Sequence, residues 1–423
     1  MELIKYPAKE QWASLLQRPA MEPFALEKKV ARVLAGVKKK GDKEIRKLTR
    51  EWDGVSLRKL AVTDAEIKKA EKLISPALLA AMKTAAANIS AFHAAQALKE
   101  EVIETMPGVK CWRRSVPVEK AGLYIPGGTA PLFSTVLMLA IPARLAGCPE
   151  IVLCTPPQKD GTVHPAVLCA AQLSGVTKIF KAGGAQAIAA MAYGTESIPA
   201  VSKIFGPGNQ FVTCAKQLVQ RDGIAIDMPA GPSEVCVLAD DTAHAAFVAA
   251  DLLSQAEHGA DSQVLLITTS EALAQQVQQE TAKQLAALPR QALAFQSLQS
   301  SRIVVLAGIE SAISMANQYA AEHLILACSN ANAIAEKVTN AGSVFIGHYS
   351  PESVGDYASG TNHTLPTSGY ARAYSGVSLD SFVKKITFQE LTREGLSAIA
   401  GTVITMAEAE GLEAHAKAVK IRL

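Results

Sequence analysis

From about Gly122 onward, short β-rich runs alternate with helical runs, and this alternation constrains the fold more than any other feature of the chain. The expected strands cover residues 122–125, 151–154, 178–180, 203–205, 235–238, 264–268, 303–306, 324–327 and 343–346. Helical runs lie between them at 131–146, 165–173, 185–193, 211–220, 243–258, 271–288, 311–321 and 331–339. Strand–helix alternation of this kind builds parallel sheets covered by helices. The strands suffice for two sheets, so two α/β domains are expected. Before Gly122 the first hundred residues read as helical, with an amphipathic run at 26–37 and a long Ala-rich run at 76–98. After about Leu379 the chain reads as helical again, at 381–384, 389–399 and 403–418.

Bulk properties narrow the class. A chain of 423 residues suggests two or three folded units, at about 150 residues per domain. With 49% hydrophobic and 19% charged residues, it has enough apolar surface for a large core and does not resemble a disordered chain. The net charge is only +3, and the run Lys38–Lys40 reads as a solvated helix end, so no nucleic-acid partner is expected. The longest apolar stretch, 130–147, is broken by Pro131, Pro142 and Arg144; it reads as a buried helix, and no membrane association is expected. Charges at Glu2, Lys5, Lys9 and Glu10 without a following apolar region argue against a secretory signal. Seven scattered cysteines with no CxxC pair fit reduced thiols in a cytoplasm.

Three glycine-rich turns sit at strand-to-helix junctions: Pro126-Gly127-Gly128, Gly183-Gly184-Ala185-Gln186 and Phe205-Gly206-Pro207-Gly208-Asn209. Such turns let backbone N–H groups approach a phosphate, and they equally serve as tight structural turns. None carries GxGxxG, so the standard dinucleotide fingerprint is missing. Ser233, after Gly231-Pro232 and before a strand, is placed either to bind a polar substrate group or to close a turn.

Metal-binding chemistry has more specific candidates. Gln255 and His258 are three apart at a helix end, which puts them on one face. The loop-like segment Glu352 to Tyr357 supplies Glu352 and Asp356, and His363 follows. Glu410 and His415 stand on the Ala-rich tail. Imidazoles, a carboxylate and an amide oxygen make a set that suits zinc, with manganese or cobalt as substitutes. Each carboxylate and tail residue alone also reads as a solvated surface group, and their separation in sequence leaves convergence open. Glu322-His323, where a helix meets a strand, is a general-base candidate and equally a half-buried hydrogen-bonded pair.

Taken in order, these segments resemble the histidinol dehydrogenase family over essentially the whole chain. The resemblance is carried by Gly122–Gly128, Gly183–Gln186, Phe205–Asn209, Asp227–Ser233, Ser254–His258, Glu322-His323, Pro351–Asp356 and Gly360–His363. It implies an α/β fold of two incomplete Rossmann-like parallel-sheet domains, one inserted in the other, with small helical N- and C-terminal segments. The implied division is 1–22 as N-terminal segment, 23–121 with 235–378 as the metal and substrate domain, 122–234 as the NAD domain and 379–423 as the tail. It further implies a cytoplasmic enzyme that oxidises L-histidinol through the aldehyde to L-histidine with NAD, the last steps of histidine biosynthesis. One Zn²⁺ per subunit would be held by Gln255, His258, Asp356 and His415. Those four, with Ser233, His323, Glu352, His363 and Glu410, would surround the substrate. Glu322 and His323 would be the acid–base pair, and Tyr124, Gln186 and Asn209 the NAD contacts. The resemblance also implies a homodimer in which Glu410 and His415 complete the neighbouring subunit's site. A related zinc and NAD dehydrogenase acting on another polar alcohol or diol is the alternative expectation.

Overall fold

The computed structural model describes residues 1–19, 23–127 and 130–423; Gly128 of the first glycine-rich turn and the end of the expected segment 1–22 lie outside them. In chain order, the strands are β1 (Glu2–Lys5), β2 (Val102–Met106), β3 (Val109–Pro117), β4 (Lys120–Tyr124), β5 (Glu150–Thr155), β6 (Lys178–Lys181) and β7 (Lys203–Phe205). They continue as β8 (Ala225–Ile226), β9 (Glu234–Ala239), β10 (Gln263–Thr268), β11 (Arg302–Val305), β12 (His323–Ala327), β13 (Ser343–Ile346) and β14 (Val383–Leu391). Two sheets are wholly parallel: a six-stranded sheet ordered β1-β11-β10-β9-β12-β13 and a five-stranded sheet ordered β6-β5-β4-β7-β8. The α/β class expected from the sequence is therefore the class observed. All nine expected strands are present, within a residue or two of their limits.

Burial explains why these strands read as apolar runs rather than as alternating ones. A parallel sheet covered by helices is buried on both faces. In β9, Cys236 and Leu238 join the core on one side, while Val235, Val237 and Ala239 join that on the other. The five-stranded sheet repeats the pattern, with Ala121 and Leu123 on one face and Tyr124, Val152 and Cys154 on the other.

Several expectations are corrected. The N-terminal segment opens with a strand, not a helix: β1 pairs in parallel with β11 through Leu3 and Ile4. The helices within 23–94 were expected to belong with the six-stranded sheet; they pack on the five-stranded one. Leu26, Val30 and Leu34 lie in the core with Ile188 and Val212, and Met82 and Ile89 lie against Val136 and Leu139. Of the helix expected at 381–384 only the 3₁₀ turn Leu379–Phe382 is found. After a short turn, residues 383–391 form β14, which pairs antiparallel with β3; β2 completes a three-stranded antiparallel sheet. Phe388 stacks on its cross-strand partner Trp112 at 5.4 Å, and aromatic pairing of that kind stabilises the strand over the helix its Gln-Glu-Leu end suggested. Helices Arg393–Ala409 and Glu413–Lys420 follow. Residues 352–357, expected as loop, form the short helix Glu352–Tyr357.

Among the described residues no single helix is long and apolar enough to cross a membrane. The bent pair Asp64–Glu71 and Pro76–Ala94 passes by length and composition, and its Met82, Ala85 and Ile89 are buried against helix Phe133–Leu145.

Candidate active site

A cavity of about 320 Å³ lies where the two parallel sheets meet, a size that small-molecule sites commonly have. Pro126, Gly127, Pro207, Gly208 and Asn209, at the carboxyl ends of β4 and β7, form one wall. Carboxyl ends are where open parallel sheets bind ligands. The six-stranded sheet presents its opposite edge: Ser233 precedes β9, and Glu322 and His323 stand at the start of β12. Gln255 and His258 enter from the end of helix Ala245–Ala256, Asp356 from helix Glu352–Tyr357, and His363 from the loop beyond.

The Phe205–Asn209 turn is held rigidly. Gly206 has φ +125°, and a Cβ there would stand 2.1 Å from the Tyr124 carbonyl oxygen, so no other residue fits. Its N–H donates to Asp227 at 2.7 Å, and its carbonyl accepts from Lys216 Nζ at 2.8 Å. Lys216 and Asp227 also pair with each other, both fully buried. Asn209 caps helix Gln210–Arg221 by accepting the N–H groups of Phe211 and Val212.

At the opposite wall, His323 is 3% exposed. Its Nδ1 lies 3.3 Å from the Glu234 carbonyl oxygen and 3.6 Å from Glu322 Oε2. Its Nε2 stands 3.4 Å from Asp356 Oδ1, without the geometry of a hydrogen bond. Glu322 accepts the Glu234 N–H at 3.0 Å. Glu352 is 1% exposed and accepts from Ser254 at 2.8 Å, while its Oε2 has no partner among the described residues. The Gln255 amide satisfies both neighbours with its nitrogen toward Glu352 at 2.8 Å and its oxygen toward the Glu234 N–H at 3.2 Å. His363 is fixed from both sides, Nδ1 on the Asp356 carbonyl at 2.8 Å and Nε2 on the Thr135 hydroxyl at 3.0 Å.

Charge is concentrated here. Burial pushes the carboxyl groups of Glu322 and Glu352 up to about 8. Burial opposes a charge on His323, but Glu322, Asp356 and Glu352 outweigh it and raise the imidazole to about 10. Asp356 moves the other way: His323 overcomes its burial and holds it below the usual carboxylate range. Opposed shifts within one buried cluster occur where groups are arranged for proton transfer, and in structural ion-pair networks as well.

Of the residues singled out in the sequence, Asn209, Ser233, Gln255, His258, Glu322, His323, Asp356 and His363 line this one cavity. Glu352 stands directly behind, through Gln255. Tyr124 and Gln186 do not line it. Both are buried, the Tyr124 hydroxyl accepting the Gly184 N–H at 3.1 Å and Gln186 Oε1 lacking a partner among the described residues. Glu410 and His415 are exposed on the tail and stand outside this chain's own cavity. Two residues were not singled out. Thr135, which holds His363, reads as core because it lies in an apolar helix; the Ser134-Thr135 pair in its first turn was the available signal. Glu234, which touches Glu322, His323 and Gln255, was hidden at the start of a hydrophobic strand, where a buried acid is itself a signal.

Among the described residues, no three His, Cys, Asp or Glu side chains stand close enough to hold a metal by themselves. The cavity does offer an amide, an imidazole and a carboxylate from Gln255, His258 and Asp356. That mixed N/O set suits a zinc ion that takes one further donor.

Two helix-covered parallel sheets closing on a buried carboxylate–imidazole cluster define an α/β enzyme. The family profile described as histidinol dehydrogenase matches residues 16–423. The chain is 59% identical to the histidinol dehydrogenase of Bacteroides thetaiotaomicron, covering 100% of this chain and 99% of that protein. It is 54% identical to the one from Xylella fastidiosa, over 97% of this chain and 96% of that protein. The crystal structure of histidinol dehydrogenase from Elizabethkingia anophelis, 54% identical, superposes with a TM-score of 0.96 over 100% of this chain and 98% of that chain. The chain belongs to the histidinol dehydrogenase family.

Proposed function

We propose that this enzyme oxidises L-histidinol through L-histidinaldehyde to L-histidine, with NAD as the hydride acceptor and one Zn²⁺ per subunit. The observation that carries the reading is the convergence of Ser233, Gln255, His258, Glu322, His323, Asp356 and His363 on one cavity in a chain of this family. Gln255, His258 and Asp356 would hold the zinc, with His415 of a second copy as fourth donor. A zinc ion held there would supply positive charge, to orient the substrate's nitrogens and to offset the Asp356 carboxylate that helps raise His323. NAD would supply the redox chemistry, as the acceptor of one hydride in each of two rounds. Asn209, Tyr124 and Gln186 are proposed as its contacts, beside the rigid Phe205–Asn209 turn.

His323 would take the substrate hydroxyl proton through Nε2, the ring atom that faces the cavity cluster. Its Nδ1, beside the Glu234 carbonyl and Glu322, keeps the ring in place. Glu322 would then receive a proton from the water that adds to the aldehyde, a task suited to a carboxyl whose affinity is lifted toward neutrality. Ser233, Glu352, His363 and the neighbour's Glu410 would recognise the ammonium and imidazole ends. A cytoplasmic setting fits seven unpaired thiols, five of them buried.

A steady-state assay with histidinol and NAD tests the reading. Expected are two reduced nicotinamides per histidinol, loss of activity with EDTA and its return with zinc. Turnover of another polar alcohol or diol but not of histidinol would overturn it.

A further inference from the structure

Glu234 occupies an unusual place. It begins β9 directly after Ser233, is 2% exposed, and touches both members of the proposed acid–base pair, Glu322 and His323. Its carboxylate accepts the Glu322 N–H at 3.2 Å. Its own N–H donates to Glu322 Oε2 at 3.0 Å and faces the Gln255 amide oxygen at 3.2 Å. Its carbonyl oxygen lies against His323 Nδ1. A carboxylate that deep requires a counter-charge.

That charge comes from far away in sequence. Arg18 Nε donates to Glu234 Oε2 and Nη2 to Oε1 at 2.9 Å, a two-point pairing. Nη2 also reaches the Tyr319 carbonyl at 2.7 Å, and the guanidinium lies 4.0 Å over the Tyr319 ring. The surroundings fix the arginine in turn. The Gln17 carbonyl accepts from Gln263 Nε2 at 2.9 Å, and Gln263 Oε1 accepts from the Tyr319 hydroxyl at 2.9 Å. Arg18 is 17% exposed at its side chain and lies outside the cavity, so it does not touch a substrate.

We infer that Arg18 is a positioning residue: by pairing with Glu234 it fixes the backbone at 234 and thereby aligns Glu322 and His323 for proton transfer. Arg18 holds the Glu234 carboxylate at both oxygens, and that carboxylate in turn holds the Glu322 backbone N–H. Lysine cannot reproduce the arrangement, because its single ammonium lacks the planar fork and the stacking face. This inference rests on the acid–base roles proposed above for Glu322 and His323.

The test compares Arg18→Met, Arg18→Lys and the neutral pair Arg18→Met/Glu234→Gln with the wild type, each zinc-loaded and checked by thermal unfolding. In Arg18→Met, kcat for histidinol is expected to fall tenfold or more, with KM and zinc content within threefold of wild type. Arg18→Lys should lie between, and the neutral pair should recover part of the lost kcat. A second readout needs no turnover: in spectra of ¹⁵N-histidine-labelled enzyme, the His323 ring signals, assigned by their loss in His323→Ala, should shift in Arg18→Met while those of His93 stay. A KM rise without a kcat loss, or unchanged kcat with an unchanged His323 signal, would overturn the inference. A wild type inactive on histidinol whose His323 signal still shifts in Arg18→Met would sink the proposed substrate and leave this positioning role standing.

Discussion

His323 meets two opposing demands. Three carboxylates around it favour its protonated form, raising it to about 10, yet a base must be free of its proton when the substrate arrives. The proposed cation on Asp356 would offset one of these charges, since Asp356 is the only carboxylate of the three that lines the cavity without being the proposed proton partner or lying behind Gln255. The residues therefore divide by function, and mutation should separate them. His323→Ala and Glu322→Gln should keep zinc near one per subunit and lower kcat by about 10²-fold or more, the usual worth of a positioned acid or base. His258→Ala and Asp356→Ala should lose zinc and activity together. Metal analysis beside steady-state kinetics distinguishes the groups; wild-type kcat in a metal-retaining His323→Ala enzyme would refute the base assignment. Sequence made these residues visible unevenly. Gln255 and His258 could be placed on one face because three-residue spacing on a helix fixes direction. Nothing local could bring Asp356, 33 positions further on, against His323; family resemblance only placed both in one site. Thr135 and Glu234 went unread because their roles exist only across strands and helices that meet in space.

Elements were legible in proportion to how local their causes are. Nine of the eleven strands of the parallel sheets announce themselves, because burial on both faces demands uninterrupted apolar runs. Strand β1 and the antiparallel sheet do not. Glu2–Lys5 holds only two apolar residues and is fixed by pairing with β11, some three hundred residues away. In β14, Lys384, Lys385, Gln389 and Glu390 mask the strand, and its identity comes from β3 alongside. The helices before Gly122 were recognised but assigned to the wrong sheet, since an amphipathic stripe tells that a helix packs and not on what. Asp42, at the start of helix Asp42–Leu48, shows what secures them. It is 4% exposed and accepts from the Thr195 hydroxyl at 2.7 Å, the Ser197 N–H at 3.2 Å and the Ser197 hydroxyl, with Arg46 at 3.1 Å. Burial opposes its charge, but Ser197 and Thr195 outweigh burial and hold the carboxyl below its ordinary value. The folded chain thus binds this proton less readily than the unfolded chain. Its contribution is complete above the ordinary carboxylate range and fades as pH falls through the lowered value. Asp42→Asn should cost about 1–3 kcal/mol at neutral pH, from hydrogen bonds that lose a charged acceptor. The gap from wild type should narrow below about pH 4. Denaturant unfolding of both proteins across that range is the measurement; a gap independent of pH would show that the charge contributes nothing.

At the scale of the molecule, the proposed role of the tail bears on whether one chain is a whole enzyme. His415 is exposed on helix Glu413–Lys420, and neither it nor Glu410 reaches the cavity of its own chain. The same tail leaves Met406 61%, Leu412 43%, Ile421 74% and Leu423 52% exposed, an apolar grouping of the kind that marks a protein interface. With three proposed donors in the cavity and the proposed fourth, His415, carried outward, the zinc site proposed above would be complete only if tails were exchanged between two copies. Subunit mixing tests this directly. A His415→Ala chain keeps its own cavity but cannot complete its neighbour's, whereas a His258→Ala chain has a ruined cavity and an intact tail. Each homodimer is expected to be inactive. In a heterodimer, the cavity of the His415→Ala chain receives an intact His415 from the other subunit, and the second cavity lacks both groups. One site in two should therefore work. After dissociation and random reassociation of equal amounts, half the dimers are mixed, so about a quarter of wild-type activity should return. If each tail served its own chain, every site in the mixture would lack one donor and no activity would return, even with native mass spectrometry showing the heterodimers present.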